Sequence, residues 1–135
     1  MLNILAVGPH PDDVELGMGG SILKFTEAGH KVTIVDLTDG EPTPHGDPET
    51  RKKESVKSSR ILGIEERITL DFPNRYLQDE IEARQELAEV IRKIQPNILF
   101  APYWIDAHPD HVAASKICDA ARFYGKLTKT EMQGK

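Results

Sequence analysis

Short apolar segments alternate with longer segments of helical periodicity along most of this 135-residue chain. Apolar and β-branched residues predict four strands, at residues 2–7, 31–37, 67–72 and 97–101. Apolar stripes and boundary signals predict four helices, at residues 21–28, 48–62, 79–95 and 110–124. This alternation predicts the α/β class and a Rossmann-like three-layer sandwich, in which a mostly parallel sheet carries helices on both faces.

Several helix boundaries are marked by the residue types that favour them. Asp47 and Pro48 are typical of an N-cap and a first helical position, and Gly63 is typical of a helix end. Asp110 is a candidate cap for the fourth helix. The run Gly17-Met18-Gly19-Gly20 lacks the spacing of a dinucleotide-binding fingerprint, so we interpret it as a turn where a helix packs closely on a strand.

Composition and charge narrow the class of protein. The hydrophobic fraction of 39% and the charged fraction of 29% are ordinary for a globular chain. A formal net charge of −5 disfavours binding that depends on nucleic-acid phosphates, and no apolar run approaches the roughly 20 residues of a membrane span. We therefore expect a cytoplasmic protein that binds a small molecule, with neither nucleic acid nor membrane as a partner.

The chain length suits one domain, which we assign to residues 1–124. Residues 125–135 are polar and lack periodicity, so this tail is expected to contribute little to the core. The single cysteine, Cys118, lies in an apolar helical pattern and is expected to be a buried structural thiol. In a sheet of order 3-2-1-4 the apolar fourth strand would lie at an edge, which favours a homo-oligomer.

Two clusters of histidine and aspartate follow predicted strands. His10-Pro11-Asp12-Asp13 comes directly after the first strand, and His108-Pro109-Asp110-His111 comes shortly after the fourth. In a sheet of order 3-2-1-4 these strands are neighbours whose connections leave toward opposite faces, and ligands bind in the crevice between such connections. We therefore expect the two clusters to meet at one site.

The residue types in the two clusters suit a catalytic zinc site. Such a site uses three nitrogen or oxygen ligands and leaves one position for water, and His10, Asp13 and His111 can supply that set. Asp12 and His108 then remain beside the metal as a general base and a general acid, so the inventory predicts hydrolysis. An alternative is that these residues only cap helices and fill turns. That role could explain one such cluster, but it explains two clusters at neighbouring strand ends less well. His30 and His45 lack comparable neighbours and are expected to be exposed loop residues.

The paired motifs resemble the LmbE-like, or PIG-L, family of zinc-dependent N-deacetylases. The resemblance covers residues 2 to 124 and is strongest to the branch that deacetylates N-acetylglucosaminyl-malate in bacillithiol biosynthesis. It implies that His10, Asp13 and His111 bind zinc, with ferrous iron as an alternative metal. It also implies that Asp12 is the general base and that His108 stabilises or protonates the tetrahedral intermediate.

Further roles follow from the resemblance alone. It implies that Asp110 orients His108 and that Arg51 helps to bind the sugar or its aglycone, although Arg51 also fits a solvated residue in the first turn of a helix. Asn74 stands where relatives often carry Asp, which implies altered contacts to the sugar hydroxyls. Many relatives have Glu directly after the two aspartates, whereas this chain has Val14 and then Glu15, whose role the resemblance leaves open.

The predicted reaction is hydrolysis of an N-acetyl group from an N-acetylglucosamine derivative such as N-acetylglucosaminyl-malate. Family members commonly continue beyond the position of Tyr124, so two alternatives remain. One is a C-terminally truncated metal-binding domain without turnover. The other is a hydrolase of a different amide, such as a thiol conjugate or a chitobiose unit.

Overall fold

The computed structural model describes residues 1–134, in which four strands alternate with four helices. The elements are, in chain order, β1 (Asn3–Gly8), α1 (Asp13–Glu27), β2 (Lys31–Asp36), α2 (Pro48–Leu62), β3 (Glu66–Thr69), α3 (Ile81–Ile94), β4 (Ile98–Phe100) and α4 (Pro109–Tyr124). The strands form one sheet of order β3-β2-β1-β4, and all three pairings are parallel. The predicted α/β three-layer fold is confirmed.

The central strand β1 separates two apolar layers because its alternate side chains point to opposite faces of the sheet. Ile4 and Ala6 pack with Ile22 of α1 and Leu62 of α2 on one face. On the other face, β1 packs against the pair α3 and α4, and the buried residues there include Leu5, Val7, Leu87 and Ile117. The chain therefore leaves β1 toward one face and leaves β4 toward the other, as the strand order predicted.

Helix α1 begins at Asp13, eight residues before the predicted start. The glycine-rich run lies inside this helix, which is kinked at Met18, where φ is −150°. Close packing does not explain these glycines, because a Cβ atom added at Gly17, Gly19 or Gly20 would meet nothing within 4 Å. The buried side chains Val14 and Ile22 secure the helix on the sheet. Tertiary packing thus overrides the low helical propensity of glycine.

The predicted bounds of α2 are confirmed, together with both boundary signals. The Asp47 carboxylate accepts a hydrogen bond from the backbone N–H of Thr50 at 3.0 Å, and Gly63 ends the helix with φ 64°. Cys118 is buried as predicted, and burial raises the pKa of its thiol to about 12. A thiol with so high a pKa stays protonated at neutral pH and is unreactive.

The C-terminal tail contributes more to the core than its composition predicts. Met132 is only 9% exposed and packs in the cluster between the sheet and helices α3 and α4. The buried guanidinium of Arg92 donates hydrogen bonds to the backbone carbonyls of Leu127 and Met132. An arginine with several carbonyl acceptors holds this segment against the domain, which sequence periodicity cannot reveal.

No helix among residues 1–134 combines the length and the apolar composition that crossing a membrane requires. Strand β4 lies at the edge of the sheet, and it is followed by the exposed apolar side chains of Tyr103, Trp104 and Ile105.

We predict that this chain self-associates through the β4 edge, because unpaired strand backbone beside apolar side chains favours pairing with another chain. Sedimentation velocity over a range of concentrations measures the effect. Ile98→Lys, which places a charge on the edge, should shift the population toward monomer. A wild-type chain that stays monomeric at every concentration would contradict the prediction.

Candidate metal centre

The two predicted clusters lie together at the carboxyl edge of the sheet, in the loops that follow β1 and β4. Three imidazole rings form the centre of the site. The ring centroids of His10 and His108 are 4.9 Å apart, those of His108 and His111 are 4.9 Å apart, and those of His10 and His111 are 5.6 Å apart. The predicted convergence of two distant segments is confirmed.

His10, Asp13 and His111 form a group whose ligand atoms lie within 4.8 Å of one another and could hold a metal ion. Asp13 lies between the two rings, with Oδ2 at 3.1 Å from His10 Nδ1 and Oδ1 at 3.3 Å from His111 Nε2. Burial disfavours ionisation of Asp13, but its hydrogen bond to His10 and the nearby His111 outweigh that effect and lower its pKa. An ionised carboxylate between two imidazoles fits a divalent cation.

A second group that could hold a metal consists of His10, His108 and Asp110. Asp110 is fully buried, however, and its oxygens already accept hydrogen bonds from the backbone N–H groups of Arg75 and Leu77, at 2.7 and 3.1 Å. Both oxygens of Asp110 are therefore already occupied, which makes it a poorer metal ligand than Asp13. The partly exposed group with Asp13 suits a catalytic metal better.

The buried carboxylate of Asp110 contacts His10, and only the backbone N–H of Asp110 contacts the His108 ring. Its Oδ2 lies 2.7 Å from His10 Nε2, which leaves His10 Nδ1 on the side of Asp13. Burial disfavours the charged imidazole, but the hydrogen bonds to Asp13 and Asp110 prevail and raise the pKa of His10. A carboxylate on the far nitrogen of a ligand histidine fixes its tautomer and ring orientation.

Asp106 contacts the far nitrogen of His111, as Asp110 does for His10. The sequence analysis did not identify Asp106. Its Oδ2 lies 3.1 Å from His111 Nδ1, so His111 Nε2 faces Asp13. Each candidate histidine ligand therefore has one nitrogen toward Asp13 and the other on a carboxylate. This paired arrangement is typical of histidines that bind metals.

Asp12 directly precedes the candidate ligand Asp13 and has a strained backbone conformation, with φ 142°. Its side chain is 57% exposed. Partial burial and the neighbouring charge of Asp13 raise the pKa of Asp12, although Arg51 and His10 oppose them. Strain at a residue of this kind is common in active sites, and a raised pKa makes a carboxylate a stronger base.

His108, rather than the predicted Asp110, caps helix α4. Its Nδ1 accepts a hydrogen bond from the backbone N–H of Asp110 at 3.0 Å. A neutral imidazole that accepts at Nδ1 carries its proton on Nε2. His108 can therefore donate a hydrogen bond into the site while it is neutral.

Arg51 lies against the first loop and is not a freely solvated residue. Its Nη2 donates to Pro11 O at 3.0 Å and lies 3.4 Å from Asp12 Oδ2. A Cβ atom at Gly40 would lie 2.7 Å from Arg51 Cζ, so the glycine leaves room for the guanidinium. The side-chain amide of Asn74 donates to Pro42 O at 3.4 Å, which places it on the neighbouring loop. His45 is exposed as expected, whereas His30 is half-buried.

A buried ion-pair network supports the start of α1, and it gives Glu15 a structural role. Arg67 of β3 donates hydrogen bonds to Asp36 at 2.7 and 2.9 Å and also to Glu15. Burial disfavours the ionised form of Glu15, but hydrogen bonds from Arg67 and Ser58 prevail and lower its pKa. The network ties β2, β3 and α2 to the helix that begins with Asp13. In the sequence, the signal for this network is a charged residue within each of two predicted strands, namely Asp36 and Arg67.

Arg67→Met is expected to lower the free energy of unfolding by about 3 to 5 kcal/mol, because it leaves the fully buried Asp36 without its partner. Urea denaturation measures the change. The control is Lys93→Met, which breaks an exposed pair with Glu66 and should change stability by less than about 1 kcal/mol. Equal effects of the two substitutions would contradict the structural role of Arg67.

Comparison with known proteins agrees with this geometry. A sequence profile described as PIG-L, GlcNAc-PI de-N-acetylase, matches residues 5–122. Diacetylchitobiose deacetylase from Thermococcus kodakarensis is 38% identical over 118 residues, which cover 80% of this chain and 44% of that protein. A probable N-acetyl-alpha-D-glucosaminyl L-malate deacetylase 2 from Bacillus cereus is 32% identical over a 154-residue alignment, covering 96% of this chain and 64% of that protein.

The fold of this chain also matches that of a solved structure. The conserved protein TT1542 from Thermus thermophilus superposes with a TM-score of 0.94 at 44% identity, and the match covers all of this chain and 61% of that one. The chain thus spans between 44% and 64% of the length of these three relatives.

Proposed function

The chain belongs to the PIG-L family of de-N-acetylases, and from this premise we propose that it hydrolyses the N-acetyl group of an N-acetylglucosamine derivative. The observation that carries the proposal is the group His10, Asp13 and His111, with Asp12 and His108 beside it. Two relatives support the class of substrate, since one is named for diacetylchitobiose and the other for N-acetylglucosaminyl malate.

We assign the metal to His10 Nδ1, an oxygen of Asp13 and His111 Nε2. These atoms are close enough to share one ion, and Asp110 and Asp106 hold the opposite nitrogens of the two rings. Zinc in this position would supply a Lewis acid for a carbonyl oxygen and would make a water molecule more acidic. Nitrogen and carboxylate ligands suit zinc, and ferrous iron is the alternative.

Asp12 acts as the general base in this proposal. It lies beside the metal ligands on the exposed side of the site, and its raised pKa favours uptake of a proton from the attacking water. Arg51 holds the carbonyl of Pro11 and so supports the strained conformation of Asp12. We thus assign Arg51 a positioning role, in addition to any contact with the sugar.

His108 serves the carbonyl oxygen as a hydrogen-bond donor. With Nδ1 committed to the backbone N–H of Asp110, its Nε2 proton can stabilise the negative charge that develops on the carbonyl oxygen. The proton that Asp12 takes from the attacking water then passes to the amine nitrogen as the C–N bond breaks, and acetate and a free glucosamine derivative separate.

Amine release from a panel of N-acetylglucosaminides tests the proposed function. The metal-free chain should be loaded with zinc or with ferrous iron, and release should require one of these metals. Binding of a metal without amine release from any member of the panel would instead support a metal-binding domain without turnover.

Asp110→Asn should weaken metal binding about 10- to 100-fold, because His10 loses the carboxylate that fixes its ring. Competition with a chelator measures the affinity, and circular dichroism verifies that the variant is folded. Asp106→Asn makes the same change beside His111 at a more exposed position. Unchanged affinity in both variants would contradict the assigned ligand set.

A further inference from the structure

We infer that a cleft beside helix α1 receives the acyl group of the substrate, and that the protein hydrolyses linear N-acyl groups longer than acetyl, such as butyryl and hexanoyl. The inference rests on the proposed deacetylase function and deepens it by naming a wider class of acyl group. The cleft has a volume of about 490 Å³ and lies between the first half of α1 and the loop that follows β4. We call it the α1 cleft. Its size is within the range of small-molecule sites, and the methyl of an acetyl group would fill only a small part of it.

The α1 cleft begins at the candidate metal centre. Asp13, Asp106 and His111 line it, and two of these residues belong to the assigned ligand set. An amide carbonyl at the metal centre carries two substituents, which are the nitrogen with its sugar and the carbon of the acyl group. A cleft that reaches two of the three ligands is close enough to receive one of these substituents.

The lining of the α1 cleft suits the acyl group. Apart from the three residues at the metal centre, no charged residue among residues 1–134 lines it. Val7 and Val14 are buried at its base, and Met18 and Phe100 are half-buried. Sugar hydroxyls would lose hydrogen bonds to water against such a surface, whereas CH₂ groups gain from leaving water. The acyl group is therefore the substituent that the cleft favours.

A polar surface for the sugar exists elsewhere beside the site. A second cleft shares no lining residue with the α1 cleft, and it includes Pro11 and Arg51, which lies 3.4 Å from Asp12. Lys52 and Ser55 also line this second cleft and offer hydrogen-bond donors to hydroxyl groups. The two substituents of the amide thus have separate surfaces of matching polarity.

The α1 cleft also gives a role to a glycine that packing does not explain. Gly17 lines the cleft, and a Cβ atom added there would meet nothing within 4 Å. A larger side chain at this position would take up space that the cleft now offers to an acyl chain. The neighbouring Met18 is unbranched and flexible, so it can adapt to chains of different length.

The reaction of a longer acyl group needs no further chemical group. Water adds its oxygen to the acyl carbon, and Asp12 takes the proton that this water loses. The C–N bond then breaks, and the same proton passes to the amine nitrogen. An N-hexanoyl substrate therefore yields hexanoate and a free amine.

A matched pair of substrates tests the inference. N-acetylglucosaminyl-malate and its N-hexanoyl analogue differ by four CH₂ groups, and the measured quantity is the ratio of their kcat/KM values. A fully buried CH₂ contributes about fourfold, so half-burial in an open cleft predicts a ratio on the order of 10 in favour of hexanoyl, mainly through KM. Binding of hexanoate and of acetate to the zinc-loaded protein is measured by calorimetry in parallel and tests the cleft without turnover.

Gly17→Leu should lower the ratio of hexanoyl to acetyl hydrolysis about 5- to 10-fold, because the new side chain fills part of the cleft. The control is Gly20→Leu, which makes the same change in the same helix outside the cleft and should preserve the ratio. A Cβ atom at Gly20 also meets nothing within 4 Å, so neither substitution introduces a clash at Cβ.

The possible outcomes separate the two proposals. A wild-type protein that prefers acetyl or uses both substrates equally would overturn the role of the cleft while leaving deacetylation intact. An equal loss of both activities in Gly17→Leu would show that the cleft receives the sugar, and would also overturn the inference. Stronger binding of hexanoate than of acetate that is lost in Gly17→Leu, without release of amine from either substrate, would support the cleft and overturn the proposed function. Equal binding of the two acids without amine release would overturn both.

Discussion

Asp13→Ala is expected to abolish both metal binding and amine release. Asp13 lies between the two candidate histidine ligands, at 3.1 Å from His10 and 3.3 Å from His111. A three-ligand site that is reduced to two holds zinc far more weakly, because one of its three protein bonds to the metal is lost. Metal analysis after gel filtration, run beside an amine-release assay, measures both properties. Asp119→Ala makes the same change at an exposed position of α4 and serves as the control.

Asp12→Asn is expected to keep its metal and to lower the turnover number about 10²- to 10⁴-fold, the range for loss of a general base. The amide has nearly the size of the carboxylate but cannot accept a proton from water. The same metal analysis and assay apply, and the adjacent Asp13 variant serves as the comparison. Loss of metal in Asp12→Asn with retention in Asp13→Ala would show that the ligand and the base are exchanged. Full activity in both variants would contradict the deacetylase mechanism.

The strands could be predicted from local signals, and the meeting of the two clusters then followed from the strand order 3-2-1-4 of a doubly wound sheet, which the structure has. Apolar runs marked the strands, and Asp47, Pro48 and Gly63 marked the ends of α2. A parallel sheet then required the loops after neighbouring strands to share one edge. The positions of His10, Asp13 and His111 follow from these rules.

The contacts around the ligands could not be predicted in the same way, because they depend on the orientation of side chains. Asp110 is adjacent in sequence to His111 and two residues from His108, yet its carboxylate contacts His10, which is 100 positions away. The helix turn beginning at His108 directs Asp110 inward, where backbone N–H groups from the loop after β3 also reach it. The resemblance had implied a contact with His108, and sequence spacing gives no sign of the contact with His10.

The predicted start of α1 was eight residues too late because of the glycine-rich run. Local propensity disfavours a helix through Gly17, Gly19 and Gly20, but packing of Val14 and Ile22 on the sheet stabilises it. The network of Arg67, Asp36 and Glu15 was similarly hidden, because its three members come from separate elements. Charged residues in otherwise apolar strands are the signal that would have indicated it.

A zinc titration of the metal-free chain, with amine release followed at each step, tests the central claim most directly. The claim is that His10, Asp13 and His111 hold a metal on which N-deacetylation depends. Amine release should rise in proportion to bound zinc and saturate at one ion per chain. Full activity of the metal-free chain, or saturation with zinc and no amine release from any N-acetylglucosaminide, would contradict it.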